Sequence, residues 1–473
     1  MTADERDRAR SALPFLVITQ LMIVLDASIV NIALPSMGRE LGMDQTGLQW
    51  VVNAYTLTFG GFLMLGGRMA DLIGRRLVFV SGICLFGAAS LAAALAPVAG
   101  VLVAARAVQG LSAAVASAAA LSIIVATFPE GKGRNQALAM WGAVSGVGGA
   151  VGVLLGGVLT SGPGWPWIFY INVPIVVVVV LGVFRSVSGA RGDTRGRLDV
   201  AGAVTLTGGL TLLVYAIVSG QSGDPVTILL ALGLAVVLLV SFFLVQRKVR
   251  EPLVPLSSFR NRNLSVASVV GLFAGAAPYA MFFLLSLHLQ NVVGLTPLQT
   301  GLGFLPVSLI SMVGAAALAP LAMARIGMRF TLLLSLGVLA VGLVLLSRLT
   351  EEDGFGATVA GQLVAGLGLG TTFVAVTTAA VAGLAENESG LASGLINTAQ
   401  QLGGALGLGA LAALSGAYSA AELAKEPPVS EVAALSSGYQ VAFLGAAVFA
   451  VAGALIALAL PRRESVPATT PHE

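Results

Sequence analysis

Charge is what this sequence has least of. Asp, Glu, Lys and Arg together make up 10% of its 473 residues, against about 25% in an ordinary soluble protein, so a water-exposed globular surface cannot be built from it. Aromatic residues are sparse at 6%, histidine occurs twice and cysteine once. The lone Cys84 lies in an apolar run, reads as a small core residue, and excludes an internal disulfide. No Gly-Lys-Ser/Thr phosphate loop, no His-Glu-x-x-His pair and no Cys/His cluster occurs anywhere, so neither ATP hydrolysis nor metal catalysis is indicated and no cofactor is implied. The net charge of +3 comes without a basic stretch interleaved with aromatics, which argues against a nucleic-acid partner.

What is present is lipid-soluble chain. Hydrophobic residues reach 57%, and 59 glycines are spread through apolar stretches instead of gathering in linkers, as in closely packed transmembrane helices. Fourteen apolar runs of spanning length stand between charged, Pro or Gly boundaries. They cover 13–34, 49–67, 77–96, 100–127, 137–159, 167–187, 200–219, 226–245, 264–287, 298–323, 330–349, 357–384, 391–413 and 439–460. The N-terminal "MTADERDRARSALPF" leads into its apolar run with no small-residue cleavage site following, so that run reads as a retained first helix and not a signal peptide.

Lys and Arg orient the spans. With the N-terminus in the cytoplasm, 21 of them fall in the tails and cytoplasmic loops and three outside: Arg39, Arg348 and Lys425. That asymmetry predicts an all-α integral membrane protein with fourteen transmembrane helices and both termini cytoplasmic. The longest loops, about 20 residues, leave little room for the soluble domain that a membrane sensor or scaffold would carry.

An internal repeat organises the spans. "GGAVG" at 148–152 returns as "GGALG" at 403–407, "RAVQG" at 106–110 as "QLVAG" at 362–366, and "GRR" at 74–76 as "GMR" at 327–329, all at offsets of 253 to 256. This offset maps each span onto one eight places later, which predicts two homologous six-span bundles, 1–190 and 251–473, with two inserted spans in 191–250. Repeated bundles around a midplane cavity are a secondary-transporter architecture.

Few ionisable residues lie deep in these spans: Asp26 in the first, Arg106 in the fourth, and His288 near the outer end of the ninth, where an interfacial residue is the plainer reading. A buried charge costs roughly 2.5–3.5 kcal/mol even on the lenient insertion scale. Asp26 lies about nine residues, roughly 13 Å, short of the outer end of its span, and Arg106 at a similar depth below the start of its own. The two can pair, either as a carboxylate that titrates as a cavity opens and closes or as a permanently ionised lock between helices. Gly142, Gly146, Gly149, Gly152 and Gly156 form one helical stripe on the fifth span, a signal of close packing. Uncharged polar residues, namely Asn31 in the first span, Gln49, Asn53 and Tyr55 in the second, and Asn397, Gln400 and Gln401 in the thirteenth, line a polar cavity or join helices. The loop "GGRMADLIGRR" sets Asp71 among Arg68, Arg75 and Arg76 around a turn at Gly74, as a solvated loop or a charge latch.

These stretches resemble the major facilitator superfamily, and within it the fourteen-span drug:proton antiporter family, over nearly the whole chain. "LDASIVNIALP" is similar to the family's first-helix signature, whose acid is Asp26. "GGRMADLIGRR" resembles the loop motif in which Gly67, Asp71, Gly74, Arg75 and Arg76 hold the familiar positions, and "RAVQG" the span 4 motif whose Arg is Arg106. "GAVGVLLGG" resembles the antiporter motif, with Gly148, Gly152, Gly156 and Gly157, although Val153 stands where the motif has proline. "WPWIFYINVP" and "GLASGLINTAQQLGGALG" are similar to the following segment and to span 13; Leu72, Pro166 and Gln400 stand where basic residues are usual. The resemblance implies an exporter in a bacterial cell membrane, working by alternating access, and because each six-span bundle has its partner within the chain a monomer is expected. Its partners would be the lipid bilayer, protons carried at Asp26 under the influence of Arg106, and an amphiphilic small molecule held by Asn31, Asn53, Tyr55, Asn397 and Gln401. The same fold would serve an exporter of a lipid, siderophore or endogenous secondary metabolite.

Overall fold

A computed structural model describes residues 11–128, 131–187, 197–220, 223–382, 384, 386–425 and 429–461. Both tails, and the boundary expected at 190, lie outside these residues. The described residues form helices and connecting turns, with no strand.

The helices are α1 (Leu13–Leu41), α2 (Gln45–Ile73), α3 (Arg75–Ala94), α4 (Ala99–Thr127), α5 (Lys132–Ser161), α6 (Trp167–Tyr170), α7 (Asn172–Ser186), α8 (Val200–Val218) and α9 (Pro225–Lys248). After a 3-10 turn at Leu256–Arg260 come α10 (Arg262–Leu287), α11 (Pro297–Gly303), α12 (Leu305–Val313), α13 (Ala319–Leu346), α14 (Phe355–Val381), α15 (Glu386–Leu423) and α16 (Glu431–Ala457). Single π turns extend α10 through His288–Val292 and join α12 to α13 through Gly314–Leu318. Among the described residues, twelve helical stretches are long and apolar enough to cross a membrane. The 29-residue α2 is not one of the twelve, and Pro297–Leu346 counts once as a 50-residue stretch although Gly327 breaks its helical backbone.

Short polar residues start the helices where the chain turns. Asp44, Asp199 and Asp224 each accept a hydrogen bond from the backbone N–H three residues on, satisfying one of the four donors that a helix start leaves open. Thr296 and Gln299 form a reciprocal capping box at α11. Gly74 and Gly327, paired by the sequence repeat, both take positive φ, 121° and 77°, a region that a side chain disfavours.

The repeat is also visible in packing. The pairs α2·α4 and α1·α5 recur as α12·α14 and α10·α15. A Cβ on Gly152 would press on Leu25 and Ser28 of α1, and one on Gly407 on Ala276 of α10. The hairpin α8–α9 packs through α8 against α2 and α15, with Thr207 seated over Gly61 and with Val214 and Val218 beside Gly409. At its base the buried Asp199 receives hydrogen bonds from Gly202 N, Gln246 Nε2 and Leu253 N.

The two helix sets meet closely at one end of the molecule. There Ser286 and Gln290 donate to the carbonyls of Asn31 and Ile32, Leu298 N donates to Ser161 Oγ, and Gly157 and Gly301 bring α5 and α11 into backbone contact. Nearer the other end, Gly142 and Gly146 of α5 have nothing within 4 Å of a would-be Cβ. The glycine stripe is therefore tightly seated along only part of its length: Gly152 and Gly156 rest on α1, as does Gly148 beside the stripe, while Gly149 meets Ser28 only at 3.9 Å.

Candidate functional site

Asp26 and Arg106 meet in the interior, 2.6 Å apart from Arg106 Nη1 to Asp26 Oδ2, with residue exposures of 0% and 1%. Four helices, α2, α3, α4 and α7, supply the hydrogen-bond partners around the pair. Arg106 Nε donates to the Val51 carbonyl of α2, and Nη1 also donates to Gln109 Oε1, one turn along α4. Gln109 Nε2 in turn donates to Asp26 Oδ1 at 3.3 Å and to Ser90 Oγ of α3 at 2.7 Å. From the start of α7, Asn172 Nδ2 donates to Asp26 Oδ1 at 2.9 Å. The guanidinium lies 4.2 Å from the centre of the Tyr55 ring and 5.8 Å from that of Phe169, both within the range of cation–π attraction.

A buried ion pair is tolerable only when the remaining donors and acceptors are also satisfied. Here both carboxylate oxygens receive N–H donors, and the cation has a carbonyl, an amide oxygen and an aromatic face besides the carboxylate. Asn172 Oδ1 is the exception, buried without a hydrogen-bond partner.

The polar residues marked as cavity candidates separate. Tyr55 belongs to the ion-pair cluster, and its hydroxyl donates to the Ile23 carbonyl at 3.4 Å. Asn53 is fully buried near Gly409, with neither side-chain atom partnered. Asn31 is half-buried and bonds back to the Ala27 and Ser28 carbonyls. Asn397 is exposed, and half-buried Gln401 accepts a hydrogen bond from Tyr279 of α10 one turn further along the same face. Gln49 Oε1 is buried and unpartnered; Gln400 is buried where its backbone meets Gly275. His288 is 1% exposed, edge-on to Tyr439.

The loop motif forms a chain of contacts. Arg75 Nε donates to Ser122 Oγ of α4, which donates to Asp71 Oδ1, and the direct Arg75–Asp71 distance is 3.7 Å. Arg76 lies over the Phe184 ring, and Gly67 approaches Ala118. Arg68 leaves the motif altogether and pairs with Glu251 at 2.6 Å, beyond the inserted hairpin. The backbone N–H of Arg197 and then Arg68 hold the Glu251 carboxyl below its ordinary value.

Of the antiporter-motif glycines, Gly148, Gly152 and Gly156 seat α5 on α1 and Gly157 seats it on α11. Val153 is buried and turns its carbonyl toward Gly301.

Gln109, Asn172 and Ser90 join the site although the sequence pattern points to neither the ion pair's amide partners nor its hydroxyl. Two of them stood inside stretches already singled out, "RAVQG" and "WPWIFYINVP", and a polar amide in an apolar run was the available signal.

The Major Facilitator Superfamily family model matches residues 16–408. The chain belongs to that superfamily. It is 40% identical to the puromycin resistance protein pur8 of Streptomyces alboniger, over 89% of this chain and 85% of that protein. It is 36% identical to the cephamycin export protein CmcT of Amycolatopsis lactamdurans, over 96% and 93%. To the tetracenomycin C resistance and export protein of Streptomyces glaucescens it is 32% identical, over 83% and 73%. Among solved structures, a bacterial homolog to the human lysosomal transporter Spinster, inward-facing and unoccupied, superposes with a TM-score of 0.67 at 14% identity, covering 97% of each chain. A peptide transporter of the POT family in complex with sulfate gives 0.69 at 16%, covering 97% and 98%. At these identities the structures establish the fold only. The protein is thus a multi-pass cell-membrane transporter and not an enzyme.

Proposed function

We propose that this transporter is a proton-coupled antiporter that exports a lipophilic antibiotic or related amphiphile by alternating access. The observation that carries the reading is the buried Asp26–Arg106 pair, and the export and resistance roles named for its relatives supply the cargo class. In this reading the Asp26 carboxyl takes a proton when the cation and amides around it rearrange, and a cationic or polar substrate group arriving beside it favours the anion and drives the proton off. Asp26 is the proton carrier in this reading, Arg106 tunes it, and Asn397 and Gln401 offer hydrogen bonds to the cargo.

Fourteen crossings fit the helices. Pro297–Leu346 is long enough for two membrane passages hinged at Gly327, since about 20 residues span the hydrocarbon core, and the 29-residue α2 packs along α4 and α15, both spanning stretches. The charge asymmetry supports cytoplasmic termini at both ends. The reading divides the protomer into bundles 1–190 and 251–473 with the α8–α9 hairpin in 191–250, acting as a monomer. In that orientation the tight contacts at Asn31, Ser161 and Gln290 lie toward the outside and the Asp71–Arg75–Ser122 chain lies on the cytoplasmic side as a gate.

The test is substrate-driven proton release from everted membrane vesicles. Wild type is expected to release protons on addition of drug and Asp26→Asn to release none; an Asp26→Asn variant that transports with undiminished dependence on the pH gradient would sink the assignment.

A further inference from the structure

The three donors around Asp26 suit an anion and leave an acid with nowhere to put its proton. Arg106 has no acceptor to offer. Gln109 has an amide oxygen, but that oxygen already receives Arg106 Nη1 at 2.9 Å; turning this amide over would break that bond and set its NH2 group against the cation, which has no acceptor. Asn172 differs. Its nitrogen holds Asp26 Oδ1 at 2.9 Å and reaches Ser90 Oγ at 3.3 Å, while its oxygen is buried and bonded to nothing.

We infer that Asn172 is the positioning residue that lets Asp26 hold a proton: its amide donates N–H to the ionised carboxylate and, turned over about its Cβ–Cγ axis, accepts the O–H of the acid. The inference rests on Asp26 being the proton carrier. Rotation sacrifices no bond at Oδ1, because none is made there, and the Ser90 hydroxyl can follow by swinging its own hydrogen toward whichever Asn172 atom faces it. Arg106 and Gln109 keep their places in both states. The proton comes from water admitted to the cavity and returns to it, and no other bond forms or breaks. The charged and titratable groups around Asp26 are Arg106 from α4 and Tyr55 from α2; α3 and α7 present Ser90 and Asn172, and α5 presents Gly152 and Gly149 to the turn that follows Asp26. Among the described residues, Asn172 is therefore the adaptable neutral group touching the Asp26 carboxylate whose second atom is uncommitted. A leucine of similar size could fill the space and do neither.

Infrared difference spectra between acid and alkaline buffer, on the purified full chain in lipid nanodiscs, test this without a transport assay. Wild type is expected to gain a protonated-carboxyl band together with a displaced side-chain amide band that moves when the protein is made with isotope-labelled asparagine; Asp26→Asn should lose both. Asn172→Leu should keep the carboxyl band at a displaced frequency and lose the labelled amide component. A wild-type carboxyl band with no change in labelled asparagine overturns the amide inversion and leaves the proton carrier standing, as does an Asn172→Leu band that stays in place. No carboxyl band in wild type at any pH removes the proton carrier itself, and the inversion with it. The labelled wild-type measurement stands even if the leucine variant fails to fold.

Discussion

The repeat places two sets of helices side by side, one with a buried ion pair and one, among the described residues, without. At offsets of 255 and 256 residues, Asp26, Arg106 and Gln109 correspond to Met281, Gln362 and Ala365. All six are buried, and the backbones around them approach in the same way: Gly110 of α4 rests on the Tyr55 carbonyl of α2, and Gly366 of α14 on the Val307 carbonyl of α12. In the second set Gln362 reaches only Thr358, one turn back on its own helix, and its Oε1 has no partner. Close packing is therefore a property of both sets, whereas the ion pair belongs to one. The scaffold does not require the charges.

Breaking what the two sets share should cost most. Gly110→Val and Gly366→Val each drive a side chain into a neighbouring backbone, and both are expected to exceed about 4–5 kcal/mol, enough to abolish recovery of monodisperse protein by size-exclusion chromatography. Tolerance of one and not the other would show that the repeat is packed unequally. Next comes the charge. Asp26→Ala strands Arg106 in the interior and should destabilise by about 3–5 kcal/mol in denaturant unfolding from mixed micelles, with most of that restored in Asp26→Ala/Arg106→Leu. If the double variant remains as unstable as the single, the charges serve the scaffold after all.

The uncharged counterpart should behave in the opposite sense. Gln362→Leu removes an unpartnered buried oxygen and leaves the Thr358 hydroxyl still bonded to Phe355, so its effect on unfolding should stay within about 1 kcal/mol. The smallest effect belongs to the exposed tie between the motif loop and the segment after α9. With its carboxyl held low by the Arg197 N–H and Arg68, Glu251 contributes stability above its unfolded value that is lost only as pH falls through its folded value. Glu251→Gln and wild type should therefore keep a small, constant separation in melting temperature from about pH 8 to about pH 5 and converge only in acid. Convergence near neutrality would show that the tie is not made.

Much of this was legible in one dimension. Spans announce themselves because burying about 20 apolar residues needs no knowledge of neighbours, and the repeat survived as short glycine motifs because helices that approach to backbone contact tolerate little else. Asp26 and Arg106 stood out because an isolated charge in lipid is costly wherever it sits. The stripe on α5 was legible as packing, but not where it stops, since Gly142 looks the same in sequence as Gly152. Gln109 and Asn172 were not separable in sequence from Asn53 or Asn397, because a neutral amide is only mildly unfavourable in a span and carries no sign of which partner it will meet.

By itself the sequence determined that the chain lives in a membrane as repeated helices, and that one acid and one base lie at similar depth. Those are sums of local free energies, and each residue contributes to them independently of where the others go. Only the tertiary structure decided that four helices converge on Asp26, that partners 80, 83 and 146 residues away fill its oxygens, and that one amide oxygen among them is left free. Hydrogen bonds need atoms within about 3 Å and at a fixed angle, and that demand is met by the packing of whole helices, which no stretch of the sequence specifies alone.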